Sequence, residues 1–252
     1  MFVVGTATAE TGHGAAKGQS AAKSGGHSGA HWSYSGAGGP ENWGKLSSGH
    51  PICGTGSRQS PINVASAVTA TMAGIEVSYK PTPLAIVNNG HTIQVNYKPG
   101  SHMRVGNRTY RLLQFHFHAP SEHTVNGAAF DAEVHFVHKS DDGKLAVLGI
   151  LIRVGAENRF LKPIWERMPT SKGFQNDHSV TVDPNTFIPA KRAYRRYFGS
   201  LTTPPCSEGV NWFLLKTPIE MSRAQLERFR QIVGVNNRPA QKAQHRFILQ
   251  SE

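Results

Sequence analysis

The sequence of 252 residues lacks the features that would assign it to several large classes of protein. It has no apolar run long enough to cross a membrane and no repeat of fixed period. Zinc-finger spacings, basic recognition helices and RNA-binding motifs are missing too, although the formal net charge is +11. Basic residues are scattered and are locally dense only at 191–196, so we expect a solvated basic surface and no nucleic-acid partner.

Cysteine is scarce, and a complete signal peptide is missing. Cys53 and Cys206 are the only cysteines, and the residues alone are compatible with two buried thiols or with one disulfide. Residues 1–10 carry a short apolar stub without a basic segment before it, so we expect that a leader has been removed.

Residues 1–30 are rich in Gly, Ala, Ser, Lys and His and contain almost nothing to bury, which predicts a disordered tail. The remaining residues, 31–252, are expected to form a single domain that begins near Trp32 and Tyr34.

Strand patterns dominate that domain. Two apolar runs meet at Asn89-Gly90, which predicts a hairpin, and Asp142-Gly143 predicts another turn. A capping box at Ser222 and Gln225 predicts a helix, and a second short helix is expected at about 159–168. The fold class is therefore mainly β, with a few peripheral helices.

The segment QFHFH, residues 114–118, contains two histidines on one face of a strand. Alternate side chains of a strand point the same way, so Gln114, His116 and His118 share a face while the phenylalanines face the core. In AEVHFVH, Glu133, His135 and Val137 share a face by the same rule. If the two strands are neighbours, His135 completes a set of three imidazoles.

Three neutral imidazoles suit Zn²⁺ and leave its fourth tetrahedral position open, as in catalytic sites. Gln114 and Glu133 are in phase to accept the second ring N–H of His116 and His135, which would orient both rings. The alternative is a buried polar cluster without function.

The sequence resembles the α-class carbonic anhydrases, in their bacterial branch. The resemblance runs from about His31 to Arg238 and rests on these stretches, in family order: GPENWGKL, RQSPINV, NNGH, QFHFHAPSEHTVNG, AEVHFVH, GSLTTPPCSEGVNWF and NNRPAQ. It implies a large twisted, mainly antiparallel sheet, a zinc ion held by His116, His118 and His135, and reversible hydration of CO₂ to bicarbonate.

The resemblance also implies roles for other side chains around the zinc site. Thr202 would accept a hydrogen bond from the hydroxide nucleophile and donate one to Glu122, with Thr203 lining the same cavity. His91 would carry protons to buffer, because an imidazole titrates near neutral pH. The CO₂-facing wall would comprise Val137, Val147, Leu201 and Trp212, and the connecting waters would lie at Tyr34, Asn89 and Gln94.

Strict alternation places Gln94 and His91 on opposite faces, so this assignment requires a bulge or a bend. The sequence KAQHRF departs from the family after NNRPAQ, which leaves the packing of the C-terminal segment undetermined.

Bacterial members of the family often join the segments that contain Cys53 and Cys206 by a disulfide. Such a bridge implies an oxidising compartment, so the resemblance places the protein in the periplasm or outside the cell. It also favours a homodimer.

Three other functions compete with CO₂ hydration. A relative that has lost the activity could be a binding module, although such relatives typically lose a zinc histidine. A zinc hydrolase would act on esters, which we expect only as a side activity. A metal-binding protein without catalysis would not need Thr202 and Glu122.

Overall fold

The computed structural model describes residues 31–46 and 49–252. The tail predicted at residues 1–30 lies outside the described residues. Among the residues described, none of the helices combines the length and apolar character needed to span a bilayer.

Strands account for most of the regular structure of the described chain. They are β1 (Asn63–Val64), β2 (Val68–Thr69), β3 (Ile75–Ser78), β4 (Thr82–Asn88), β5 (Ile93–Asn96), β6 (His102–Val105), β7 (Arg108–His118), β8 (Thr124–Val125), β9 (Ala128–Ala129), β10 (Ala132–Lys139), β11 (Leu145–Val154), β12 (Gly173–Val182), β13 (Tyr194–Ser200), β14 (Glu208–Leu215), β15 (Ile219–Met221) and β16 (Leu249–Gln250).

The helices are short. The α-helices are α1 (Ile52–Thr55), α2 (Leu161–Trp165) and α3 (Arg223–Val233), and 3₁₀ turns occur at Gly36–Gly38, Trp43–Lys45 and Pro184–Thr186. The capping box predicted for α3 is confirmed, since the Ser222 and Gln225 side chains each bond the other's backbone N–H.

A large mixed sheet of 13 strands forms the body of the molecule, in the order β12-β4-β5-β7-β10-β11-β14-β13-β16-β2, with β3, β6 and β15 paired off this path. Most neighbours are antiparallel, but β14 and β15 run parallel to β11, and β2 runs parallel to β16. The predicted fold class is confirmed. The central strands β7, β10 and β11 carry apolar side chains on one face, and this face packs against α2 and α3.

The hairpin predicted at Asn89-Gly90 is confirmed, because β4 and β5 pair in antiparallel fashion. Its loop comprises four residues, 89–92, and Asn89 Oδ1 closes it by accepting the backbone N–H groups of His91 and Thr92 at 2.9 and 3.0 Å. The prediction of the second helix needs correction. The second helix, expected at 159–168, covers only Leu161–Trp165, because tighter i→i+3 bonds replace the α pattern at Arg167.

The C-terminal segment packs against the body despite its unusual sequence. Gln241 N donates to Pro61 O at 2.8 Å, and the Arg246 guanidinium donates to Gln59 O at 2.8 Å. The chain then ends in β16, which extends the large sheet by pairing with β13 and β2.

Candidate metal centre

The pairing of β7 with β10 brings three histidines together. His116 lies directly opposite His135, and His118 lies opposite Glu133. Ring centroids are 5.0 Å apart for His116 and His118, 5.3 Å for His116 and His135, and 4.7 Å for His118 and His135. One ring nitrogen of each lies within 4.8 Å of the corresponding atoms of the other two. The three imidazoles thus share one face of the sheet, as strand parity predicts.

Each of the three rings has one nitrogen that lies close to an acceptor oxygen. Nδ1 of His116 lies 2.8 Å from Gln114 Oε1, and Nδ1 of His118 lies 2.7 Å from the carbonyl oxygen of Asn236. Nε2 of His135 lies 2.9 Å from Glu133 Oε1. Because these oxygens can only accept, the nitrogens facing them carry the protons. The lone pairs that remain are therefore on Nε2 of His116, Nε2 of His118 and Nδ1 of His135.

The environment keeps these rings neutral. Burial lowers the pKa of all three imidazoles, to about 4 for His118. Neutral imidazole is the form that binds a metal ion. Nε2 of His118 is buried and has no hydrogen-bond partner among the described residues, an arrangement that is costly unless a ligand occupies it. The donor set fits Zn²⁺, which takes three protein ligands in catalytic sites, and in one such class all three are histidine nitrogens.

Glu133 anchors the side of the site behind His135. Its Oε2 accepts the backbone N–H groups of Glu122 and His123 at 3.0 and 2.9 Å, and its Oε1 lies 2.7 Å from His123 Nδ1. Burial would raise the pKa of Glu133, but His123 and His135 outweigh it and hold the pKa well below its ordinary value. His123, Glu133 and His135 are also close enough to hold a metal ion, but Glu133 Oε1 already lies 2.7 Å from His123 Nδ1 and 2.9 Å from His135 Nε2.

Glu122 is buried beside the same histidines, with Oε2 3.5 Å from His118 Nε2. Burial raises its pKa to about 7, while His135, the backbone N–H of Arg238 and the Thr202 hydroxyl oppose that rise by favouring the ionised form. The structure thus brings Thr202 and Glu122 together, and it keeps both within the buried part of the site.

Comparison with known proteins identifies the family. The family model described as eukaryotic-type carbonic anhydrase matches residues 38–252. The chain belongs to the α-carbonic anhydrase family. A carbonic anhydrase of Neisseria gonorrhoeae is 44% identical over 92% of this chain and 91% of its own length.

Solved structures agree with this assignment. The α-carbonic anhydrase of Thermovibrio ammonificans, in complex with the inhibitor sulfanilamide, is 48% identical, with a TM-score of 0.84 over 88% of this chain and 99% of that one. A hyperthermostable carbonic anhydrase from a hydrothermal vent chimney is 42% identical, with a TM-score of 0.85 over 88% and 100% of the two chains. The protein is therefore an enzyme of the carbonic anhydrase family.

In this carbonic anhydrase the residues expected to form the apolar wall lie in one row across the sheet. Val137 pairs with Val147, and Val147 pairs with Trp212. These three side chains belong to one apolar cluster, with Leu201 packed against it half-buried. The Trp212 ring also contacts the His135 ring edge-on, with centroids 4.8 Å apart. The row lies beside the three histidines.

Gln94 reaches the site from the neighbouring strand, because it pairs directly with His116. His91 precedes β5 and lies in the loop closed by Asn89, so strand alternation does not apply to it. This loop is the bend that the joint assignment of His91 and Gln94 requires. Asn89 is exposed and its Oδ1 is used within the loop. Tyr34 lies edge-on to His91, with ring centroids 6.4 Å apart.

His91 stacks on an indole that the sequence did not single out. Its ring centroid is 3.6 Å from that of Trp32, and the planes differ by 13°. Burial lowers the pKa of His91 to about 4, and the charges of His31 and Lys172 add to this effect. In this position the ring is a weak base, contrary to the ordinary pKa that we expected for it.

Three further residues support the site without any sequence signal that identifies them. Asn236 offers its carbonyl to His118, while its side chain accepts from Ala119 N at 2.8 Å. Arg238 donates its backbone N–H to Glu122 Oε1 at 2.9 Å, and its buried guanidinium donates to Gln59 Oε1 and to two backbone carbonyls. Gly149 lies opposite His135 on β11. Asn236 and Arg238 lie in the segment NNRPAQ, which carries the resemblance but gave neither of them a role, and Gly149 lies in none of the segments on which the resemblance rests.

The disulfide between Cys53 and Cys206 is confirmed. It lies with Trp43 in a small apolar cluster, against which Trp32 and Tyr34 pack. Cys206 N also donates to Thr203 O at 2.8 Å, so the bridge anchors the loop that contains Thr202 and Thr203.

Proposed function

We propose that this enzyme is a zinc carbonic anhydrase that hydrates CO₂ reversibly to bicarbonate and a proton. The observation that carries the proposal is the set of three ring nitrogens, on His116, His118 and His135, whose lone pairs remain free because each ring's other nitrogen faces a fixed acceptor. These histidines would hold the ion, with Gln114 and Glu133 orienting two of them. When bound, zinc would supply a hydroxide nucleophile from water near neutral pH.

Thr202 and Glu122 orient the nucleophile in this proposal. Arg238 N donates to Glu122 Oε1 at 2.9 Å, and the Thr202 hydroxyl would donate its proton to the same carboxylate, whose ionised form it favours. With its proton committed to Glu122, the Thr202 oxygen could only accept, and it would therefore favour a partner that itself has a proton to donate. Such a bond fixes the direction of the nucleophile's remaining lone pairs, and orientation of this kind lowers the barrier to attack.

The apolar row of Val137, Val147 and Trp212, with Leu201, would hold CO₂ beside the histidines, and Thr203 would line the polar side. CO₂ has no charge and no proton to donate, so an apolar wall excludes competing water without leaving a polar group unpaired.

His91 would carry the product proton from the site to buffer, across waters held near Tyr34, Asn89 and Gln94. Stacking on Trp32 disfavours protonated His91, since burial lowers the pKa of the ring to about 4. We therefore expect the ring to hold its proton briefly and to release it readily.

Stopped-flow CO₂ hydration tests the proposal on zinc-loaded enzyme, on chelator-treated enzyme and on His118→Ala. We expect equimolar zinc in the wild type, activity at background after chelation, and recovery on adding zinc to the wild type but not to the variant. His245→Ala, which changes an exposed histidine, serves as the control and should behave as the wild type. Full activity of the metal-free protein would contradict the proposal.

A side activity on small activated esters follows from the same nucleophile. We expect slow hydrolysis of p-nitrophenyl acetate that disappears with chelation and with His118→Ala. Hydrolysis that persists in the chelated enzyme would assign that activity to another group.

The disulfide supports export to the periplasm or the cell exterior, because such bonds persist in oxidising compartments. Fractionation of expressing cells, with and without an added export signal, tests whether the active oxidised protein accumulates outside the cytosol. We also propose that the enzyme is a homodimer, which sedimentation velocity at micromolar concentration tests directly.

A further inference from the structure

His31 lies next to His91 at the start of the described chain. The two ring centroids are 5.1 Å apart and the planes differ by 10°. Both rings are nearly parallel to the Trp32 indole, whose centroid is 3.6 Å from that of His91 and 6.4 Å from that of His31. If the three rings formed one stacked column, the His31 and Trp32 centroids would be farther apart than 6.4 Å. His31 therefore lies beside His91 and is not stacked on the face of His91 that points away from Trp32.

The residues that follow His31 in the sequence fix its position. Nδ1 of His31 lies 2.8 Å from the carbonyl oxygen of Trp32, so this nitrogen carries a proton and donates it. Ser33 N in turn donates to Gly38 O at 2.8 Å, and Trp43 Nε1 donates to Ser33 O at 2.9 Å. The nitrogen that remains on the exposed His31 ring, Nε2, is therefore the one that can take up a proton.

We propose that His31 is a second proton carrier in this enzyme, which takes the proton from His91 and delivers it to buffer. The proposal rests on the proposed function, in which His91 receives the proton formed with bicarbonate.

The transfer moves one proton from His91 to buffer and leaves both histidines in their starting protonation states. Protonated His91 gives one N–H proton to Nε2 of His31, directly or through one water, and His91 returns to its neutral form. His31 then carries protons on both nitrogens, with Nδ1–H still donated to Trp32 O. A neutral buffer base takes the Nε2 proton, which restores the starting state.

The surroundings of His91 favour loss of its proton. Burial against Trp32 lowers the pKa of His91, and the charge of Lys172, which is present while His31 is still neutral, lowers it further. The Lys172 side chain approaches the loop so closely that a Cβ at Gly90 would lie 2.0 Å from its Cε. Tyr34 is the other titratable group whose ring lies near His91. His31 is exposed, so a proton that leaves His91 for His31 moves toward solvent.

The test compares His31→Ala with His31→Phe and with His91→Ala in stopped-flow CO₂ hydration over a range of buffer concentrations. We expect both His31 variants to lower kcat several-fold in dilute buffer and to leave kcat/KM for CO₂ unchanged, because proton release follows the chemical step. Added imidazole should restore kcat. His31→Phe retains a flat ring beside His91 but cannot carry a proton, so full kcat in that variant would show that His31 acts only by packing and would overturn the proposal.

The pKa of the His91 ring, measured by NMR titration, gives a readout that does not depend on turnover. It should rise in His31→Ala, because the neighbouring charge is lost. Normal kcat of His31→Ala in dilute buffer, with slow His91→Ala, would overturn the His31 step alone. Normal kcat of His91→Ala as well would contradict the proposed role of His91, and the His31 step would fall with it.

Discussion

Gly149 lies directly opposite His135 in the β10–β11 register, and the space over its α-carbon is taken by the side chains of Leu214 and Glu133. A Cβ at this position would lie 2.9 Å from Leu214 Cδ1 and 3.1 Å from Glu133 Oε1. A glycine inside a central strand weakens it, and it often marks a place where another group approaches the backbone closely. Here the approaching group is the carboxylate that orients a predicted zinc ligand.

Gly149→Ala should therefore displace Leu214 or Glu133. We expect a loss of about 1–3 kcal/mol in the free energy of unfolding, typical of overpacking, together with weaker zinc binding. Chemical denaturation and competition with a chromogenic chelator measure the two effects. Gly173→Ala, in the exposed strand β12 where a Cβ meets only Ser171 O at 3.9 Å, is the matched control and should change neither. Unchanged zinc affinity in Gly149→Ala would contradict the role assigned to this close approach.

Strand parity was sufficient to predict which side chains share a face within each strand, because the period of two depends only on local backbone geometry. That the strand of His116 and His118 pairs with the strand of His135 is shown only by the structure. Strand parity could not place Asn236 or Gly149. Asn236 binds His118 through a backbone carbonyl, which every residue has, and it lies 118 positions away in the sequence. Gly149 matters only through its register with β10, which depends on the pairing of the whole sheet.

The environment of His91 also required the tertiary structure. The family resemblance singled out His91, but the ring that covers it belongs to Trp32, which lies near the N-terminal end of the described residues. An expected pKa near the value of free histidine takes no account of burial, and burial lowers the pKa of this ring more than the neighbouring charges do.

Glu133→Gln should disturb both the fold and the site. Each oxygen of Glu133 faces two N–H groups. In Glu133→Gln the side-chain NH₂ replaces one of these oxygens in either orientation of the amide, so it faces other donors and leaves them unpaired. We expect zinc affinity to fall about 10–100-fold, as for other groups that orient metal ligands. Unpaired buried donors should also cost about 1–3 kcal/mol of stability.

Zinc affinity is measured by competition with a chelator, and stability by denaturant unfolding of the metal-free proteins. Glu76→Gln, which changes an exposed carboxylate paired with Arg104, provides the control and should retain wild-type affinity. If Glu133→Gln binds zinc as tightly as the wild type, Glu133 does not orient His135.

Removal of the disulfide should lower stability and activity together. Cys53 and Cys206 are 153 positions apart, and closing a loop of that length stabilises by up to about 5 kcal/mol in the chain-entropy model. Because Cys206 anchors the loop of Thr202 and Thr203, we expect kcat/KM for CO₂ to fall as well.

The double variant Cys53→Ser, Cys206→Ser and the wild type are compared by thermal unfolding, with and without reductant. Reductant should lower the wild-type Tm toward that of the variant and should leave the variant unchanged. A variant that matches the oxidised wild type in both Tm and kcat/KM would show that the bridge does not support this loop.

His138 should make stability depend on pH. The ring faces away from the three histidines, and its Nε2 lies 2.7 Å from the Tyr79 hydroxyl. Burial lowers its pKa from 6.5 to about 3 in the folded state. The unfolded chain therefore binds a proton that the folded chain does not between these two values, so this contribution to stability is complete above pH 6.5 and is lost as the pH falls toward about 3.

The variant His138→Gln does not titrate and retains a partner for Tyr79, so it isolates this effect. The free energy of unfolding of the wild type should fall with decreasing pH more steeply than that of the variant, by up to about 1.4 kcal/mol per pH unit for one proton. The other histidines contribute equally to both proteins and cancel in the difference. His178→Gln, which changes an exposed histidine in β12, should follow the wild type. Parallel slopes for His138→Gln and the wild type would mean that His138 remains free to protonate in the folded protein.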